Sequence, residues 1–282
     1  MNTRLKIYCI ILGFSLPIFA EERSMAILKA EYNAISYERN NDGDTIKEIR
    51  KFILQIAPGK SYFYNPQTFY VDSMDNDPQG RILYEEALKE SINQGRDMFK
   101  FLSKQGFMPE SRYKSLKDFK NNNIRVWDSN MGNKYRYDVE MQDLSWELGD
   151  SIKNISGYEC QNAFADYHGR KWEVWFAPEI PFQDGPWQLC GLPGLIMEAS
   201  EDSGYYSFFI TGIQNCNEPF KPTFENEKYF ITKRKSFLKQ KDYSRKNRAA
   251  MVNVITNGKV NLPNSINATE NDIDFLETDY HD

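Results

Sequence analysis

The 282-residue chain is poor in the side chains that most often carry catalysis. It has two histidines, His168 and His281, and four cysteines. So little imidazole argues against metal-centred and histidine-dependent chemistry. No Cys-x-x-Cys occurs, which removes the simplest zinc and dithiol readings. Gly-x-Ser-x-Gly, His-Glu-x-x-His, the phosphate-binding P-loop and Gly-x-Gly-x-x-Gly are missing too. Long apolar runs are also scarce: past residue 20 none approaches the ~20 residues a membrane-spanning helix needs. Excess positive charge is lacking as well. The net charge is −5, which argues against nucleic acid as a general partner.

Residues 1–20 have the pattern of a secretory signal peptide. Arg4 and Lys6 precede an apolar core from Ile7 to Phe14, Pro17 breaks it, and Ile18-Phe19-Ala20 suits cleavage. Cys9 lies inside the apolar run and does not suit lipidation. The expectation is an exported chain, in the periplasm or beyond, starting at Glu21. Losing Arg4 and Lys6 takes the net charge from −5 to −7. Cys160, Cys190 and Cys216 then remain, an odd count that allows at most one internal bridge.

The rest of the chain reads as strands interrupted by helices. Leu28, Ala30, Tyr32 and Ala34 alternate with polar residues, as do Phe52, Leu54 and Ile56. The turn signal Asn41-Asp42-Gly43-Asp44 between them predicts a hairpin, and Pro58-Gly59 ends it. Asp77 as cap, Pro78 at the first helical position and a helical spacing of apolar residues predict one helix to Gly106, weakened at Gly95. Tyr135, Tyr137, Val139 and Met141 mark a clean strand. Residues 158–165 form another, and on the next Trp172, Val174 and Phe176 face the core. A last helix runs from a Thr232 cap to the Asn257-Gly258 stop. The predicted fold is α+β: a curved, mainly antiparallel sheet, half-barrel in shape, with one or two long helices. A single domain spans 21–262, and the acidic residues of 263–282 suggest a poorly ordered tail.

The most distinctive stretch is 157–198, with Trp172, Trp175, Glu179-Ile180-Pro181, Gly185-Pro186-Trp187 and the hexapeptide Gly191-Leu192-Pro193-Gly194-Leu195-Ile196. Proline followed by glycine suggests a type II turn with Gly194 at positive φ. This stretch resembles the GLPGLI family of exported Bacteroidetes proteins, matching fully over the hexapeptide and well over the residues before it. The resemblance implies an exported protein, but no assigned reaction and no catalytic residues.

Several constellations invite a chemical reading. Asp166-Tyr167-His168 could begin an acid–base or metal pair, and Cys160 with His168 a thiol–imidazole pair. A polar turn and a buried inert thiol explain them more simply. Lys233, Arg234, Lys235, Lys239, Lys241, Arg245, Lys246 and Arg248 form a basic helix suited to an anionic membrane surface, or balanced by the protein's own acidic tail. Trp172, Trp175 and Trp187 are candidates for a ligand or partner surface. If Asp202-Ser203-Gly204 turns a hairpin centred on Ser203, paired residue numbers sum to 406. Cys190 and Cys216 would then face each other as a disulfide. The functional expectation is non-catalytic binding of a hydrophobic ligand or a partner protein, with no cofactor. A hydrolase of unfamiliar type and a structural or assembly factor are the alternatives.

Overall fold

The computed structural model describes residues 24–39, 44–141, 144–222, 228–269 and 272–281. The expected leader, the cleavage point and most of the Asn41–Asp44 turn lie outside them. Twelve strands form one curved, open sheet. In chain order they are β1 (Met25–Arg39), β2 (Thr45–Ala57), β3 (Lys60–Tyr64), β4 (Lys114–Asp118), β5 (Asn123–Asn130), β6 (Asn133–Glu140), β7 (Glu147–Ile155), β8 (Tyr158–Tyr167), β9 (Arg170–Ala177), β10 (Leu195–Glu201), β11 (Tyr206–Pro219) and β12 (Phe230–Ile231). The spatial order is β12-β6-β5-β4-β3-β2-β1-β11-β10-β9-β8-β7. Two meanders, β2 to β6 and β7 to β11, are thus joined by the long β1 between them. Pairing is antiparallel throughout except where β12 runs parallel to β6.

Alternation sets which face is buried. Leu28, Ala30 and Tyr32 pair with Ile56, Leu54 and Phe52, and these six side chains share a core with Trp172, Val174 and Phe176. Ile124 and Val126 of β5 extend this inner face, while the adjacent Trp127 points the other way. The β8–β9 hairpin turns at His168-Gly169, both at positive φ (52° and 82°), the geometry a two-residue hairpin turn with matched twist requires.

Among the described residues five α-helices accompany the sheet. On the outer face lies α1 (Pro66–Asp75), capped by Asn65, followed by α2 (Pro78–Asn93) and α3 (Met98–Lys104). The Asp77 cap and Pro78 start are as predicted. The single helix to Gly106 is instead two, because the chain turns at Gly95 with φ 59°. On the inner face lies α4 (Arg234–Lys246), followed by α5 (Arg248–Ile255). The last helix therefore starts after Lys233, not at a Thr232 cap, and breaks at Asn247.

The acidic C-terminal segment differs most from expectation. Residues 272–281 form a strap across the inner face, with Glu277 and Tyr280 buried at 4% and 1% exposure. Its acids meet arginines of the domain, and Phe275, Leu276 and Tyr280 supply apolar anchors between the charges.

Candidate functional site

Three pieces cover the inner face: loop 178–194, α4 and the strap. Where they meet they leave a cavity of about 230 Å3. Phe52, Phe63 and Phe208 make its floor. Phe52 and Phe63 stack with centroids 4.7 Å apart, and Phe208 meets Phe63 edge-on at 6.1 Å. Trp187 of the loop, Tyr137 of β6, Leu238 of α4, and Phe275 and Leu276 of the strap add apolar wall. Tyr113, Glu277, Arg50 and the Lys241–Asp128 ion pair, 2.6 Å across, add polar groups.

The strap is held in part through its backbone. Arg170 donates from Nε to the Leu276 carbonyl (2.9 Å) and from Nη2 to the Phe275 carbonyl (2.7 Å). Tyr206 donates its hydroxyl to the Asp274 carbonyl (2.7 Å), and Arg245 Nη1 donates to the Ile273 carbonyl (2.8 Å). The Thr278 amide donates to the His168 carbonyl (2.9 Å). Gly169 permits this close approach, since a Cβ there would lie 2.3 Å from Thr278 Oγ1.

Buried charges sit beneath the strap. Glu277 accepts from Arg234 and from Gln188 Nε2 (3.1 Å). Arg234 also holds Asp279, which lies 3.4 Å from His168 Nδ1. Burial raises the Asp279 carboxyl, yet the Arg234 hydrogen bond and charge outweigh it and leave its pKa below the ordinary value. Burial lowers that of His168 and lifts the Tyr113 hydroxyl well above its ordinary value, so the phenol is neutral. Tyr113 Oη lies near Ser115 and Gln188 but makes no hydrogen bond within 3.5 Å among the described residues. Trp187 Nε1, Gln188 Oε1 and His168 Nε2 are likewise buried without a hydrogen-bond partner among the described residues.

One family model matches the chain. Described as a protein of unknown function (Porph_ging), it covers residues 168–198, a span that contains the hexapeptide and fits a GLPGLI-type family. No curated protein matches. Among solved structures, PNGF-II in its P21 crystal form matches with TM-score 0.50 and 12% identity, over 78% of this chain and 34% of that one. Its C2 form gives 0.47 and 13%, over 77% and 33%. The chain thus spans about a third of the length of PNGF-II, and at this identity the likeness concerns the β-rich fold.

The matched segment comprises β9, loop 178–194 and the start of β10. Its loop is pinned by a buried cation that the sequence did not reveal. Lys117, 1% exposed, donates to Asp184 (2.5 Å) and to the carbonyls of Gly185 (2.7 Å) and Leu189 (3.0 Å). The sequence signal was merely a lysine on a short strand. Within the hexapeptide Leu192, Leu195 and Ile196 are buried, and Tyr32 donates its hydroxyl to the Ile196 carbonyl (2.7 Å). The turn is not type II. Positive φ falls on Gly191 (97°), and Gly194 donates its amide to Leu192 across Pro193 (2.8 Å). Gly194 is required for space: a Cβ there would lie 2.3 Å from the Ala177 carbonyl oxygen. The motif closes the loop that carries Trp187 and Gln188 to the cavity.

Of the three tryptophans, Trp172 and Trp187 come together with centroids 5.4 Å apart. Trp175 lies on the opposite sheet face, with Lys153 4.2 Å over its ring. Cys190 and Cys216 form no disulfide. The hairpin pairs Ala199 with Phe208, a sum of 407, and β10 begins only at Leu195. Cys190 thus stays in the loop, its carbonyl accepting from Trp146 Nε1 (3.0 Å), while Cys216 lies on the part of β11 that pairs with β1. Cys160 is buried and its thiol is pushed up to about 11, chiefly by desolvation, as for an inert cysteine. His168 faces Asp279, not Asp166. Among the described residues no group of three His, Cys, Asp or Glu could hold a metal ion. The basic helix pairs internally: Arg234 with Glu277 and Asp279, Lys241 with Asp128, Arg245 and Lys246 with Asp242.

Proposed function

We propose that this chain is an exported envelope protein of GLPGLI type that binds a small, largely apolar ligand in the strap-covered cavity. The observation that carries this reading is the cavity itself, walled by aromatic rings yet fitted with an unbonded, neutral Tyr113 hydroxyl. Apolar pockets with a few convergent polar groups are the usual form of small-molecule sites. At about 230 Å3 the cavity is smaller than typical drug-sized sites of ~300–1,000 Å3 but exceeds the ~150 Å3 that holds benzene. The fitting ligand is a single ring or short branched chain with one hydrogen-bonding group for Tyr113. Export is supported by the leader pattern and the family resemblance.

Thermal unfolding with indole and p-cresol as probes tests this. A probe at 100 times its Kd stabilises by about 2.7 kcal/mol, a rise of roughly 5–10 °C for a domain of this size. Leu276→Trp, which fills the cavity, abolishes the rise. No shift with either probe, or an equal shift in a folded Leu276→Trp variant, would refute the site.

A further inference from the structure

The strap fits its groove in a way an integral core segment does not. Protein interiors are close-packed and their buried polar groups bonded. Beneath residues 272–281 there is instead a cavity of about 230 Å3, and three polar atoms of side chains that line it or touch the strap lack a partner among the described residues. These are Trp187 Nε1, Gln188 Oε1 and His168 Nε2. The groove holds main-chain carbonyls through Arg170, Tyr206 and Arg245, and side-chain acids through Arg234. That is how a site grips an extended peptide: carbonyl contacts give affinity, and one cation with one aromatic slot gives sequence preference. Tyr280 fills the slot, buried in the cluster that also holds Tyr137 and Phe237. Residues 257–265, which lead from α5 toward the strap, are exposed throughout.

We infer that the groove between the inner sheet face and α4 is a peptide-recognition site, filled in cis by residues 272–281, that accepts an extended acidic peptide from a partner protein. The preferred peptide repeats the pattern of Leu276-Glu277-Thr278-Asp279-Tyr280: apolar, acid, any residue, acid, aromatic. Charge complementarity with Arg234 selects the acids. The unused hydrogen-bonding groups leave room for a partner that satisfies more of them than the strap does. A tethered strap competes at an effective concentration of about millimolar, so free peptides bind only when the strap is weakened or outmatched. This inference does not depend on the small-ligand reading, since its probe is a peptide.

The test is fluorescence anisotropy with a labelled peptide of residues 272–281, titrated into the intact chain and into a Leu276→Ala/Tyr280→Ala variant. The variant should bind at least tenfold more tightly than the unaltered chain. Replacing the peptide's two central acids by Gln and Asn should cost at least tenfold. Equal affinity of the two proteins, or equal affinity for a scrambled peptide, overturns the inference. If the double variant does not fold, hydrogen exchange on the unaltered chain decides. The Thr278 amide should exchange at least tenfold faster than sheet amides such as that of Ala30. Exchange in step with the sheet would show that the strap opens only on global unfolding, against the inference.

Discussion

Arg170→Ala should be among the most destabilising single substitutions in the chain. The Arg170 side chain is 8% exposed and Glu201 0%. Arg170 Nη1 donates to Glu201 Oε2 (2.9 Å) and Ser203 Oγ (3.1 Å), and the guanidinium stacks 4.9 Å from the Tyr206 ring centroid. Truncation leaves the Glu201 carboxylate buried without its cation, a defect of typically ~3–5 kcal/mol. Glu201 retains the amides of Ser203, Tyr205 and Tyr206 and the Ser203 hydroxyl, which places the loss near the lower end. The Phe275 and Leu276 carbonyls lose their donor as well, at about 1 kcal/mol each. A total of about 5 kcal/mol corresponds to a fall in Tm of roughly 10–20 °C for a domain of this size. Circular dichroism melts and urea unfolding at pH 7 measure it. Arg170→Lys keeps the charge but not the fork and should recover part of the loss. A fall below about 2 °C for Arg170→Ala would refute the view that this arginine couples the hairpin to the strap.

Gly194→Ala should destabilise more than Gly191→Ala. The former forces a Cβ to 2.3 Å from a backbone oxygen, whereas the latter meets positive-φ strain and an ordinary contact with Trp146 Nε1 at 3.7 Å; the reverse order of melting temperatures would contradict this. Maleimide labelling of the native chain should modify Cys216 well before the buried Cys160 and Cys190, and a Cys190–Cys216 peptide in non-reducing mapping would overturn the register. Acidification should weaken the fold in two stages. The folded His168 pKa lies below its unfolded value of ~6.5, so the unfolded chain binds more protons and stability falls as pH drops through that window. Asp274 and Asp279, both lowered, add losses as pH falls below ~4. His168→Gln should flatten the first stage, and an unchanged profile would exclude His168 as its source.

Much of the sheet was legible because period-two alternation is a local signal. Leu28-Ala30-Tyr32, Phe52-Leu54-Ile56 and Trp172-Val174-Phe176 are buried as their spacing requires. Turn chemistry was legible at Gly59 and Gly169, where a glycine takes positive φ, but Gly95 was read only as a weak point within one helix. Turn chemistry misled at Gly194, where the need for glycine comes from Ala177, a neighbour in space 17 residues earlier in the chain. The disulfide failed by one residue of register and because loop 178–194 leaves the sheet. The strap was hidden because composition counts the charges of 272–281 without their partners. Arg170, Arg234 and Arg245 lie 28–106 residues away from the groups they bind there, and no local pattern links them. The cavity was hidden for the same reason, since its walls come from stretches scattered between Ala34 and Glu277.

Mass spectrometry of small molecules released from protein isolated from its native host tests the central claim most directly. The account predicts a ring-sized, largely apolar compound, near stoichiometric with the chain and absent from a folded Leu276→Trp variant prepared in parallel. Recovery of no such compound from the unaltered protein, or of the same compound in equal amount from both, would contradict it.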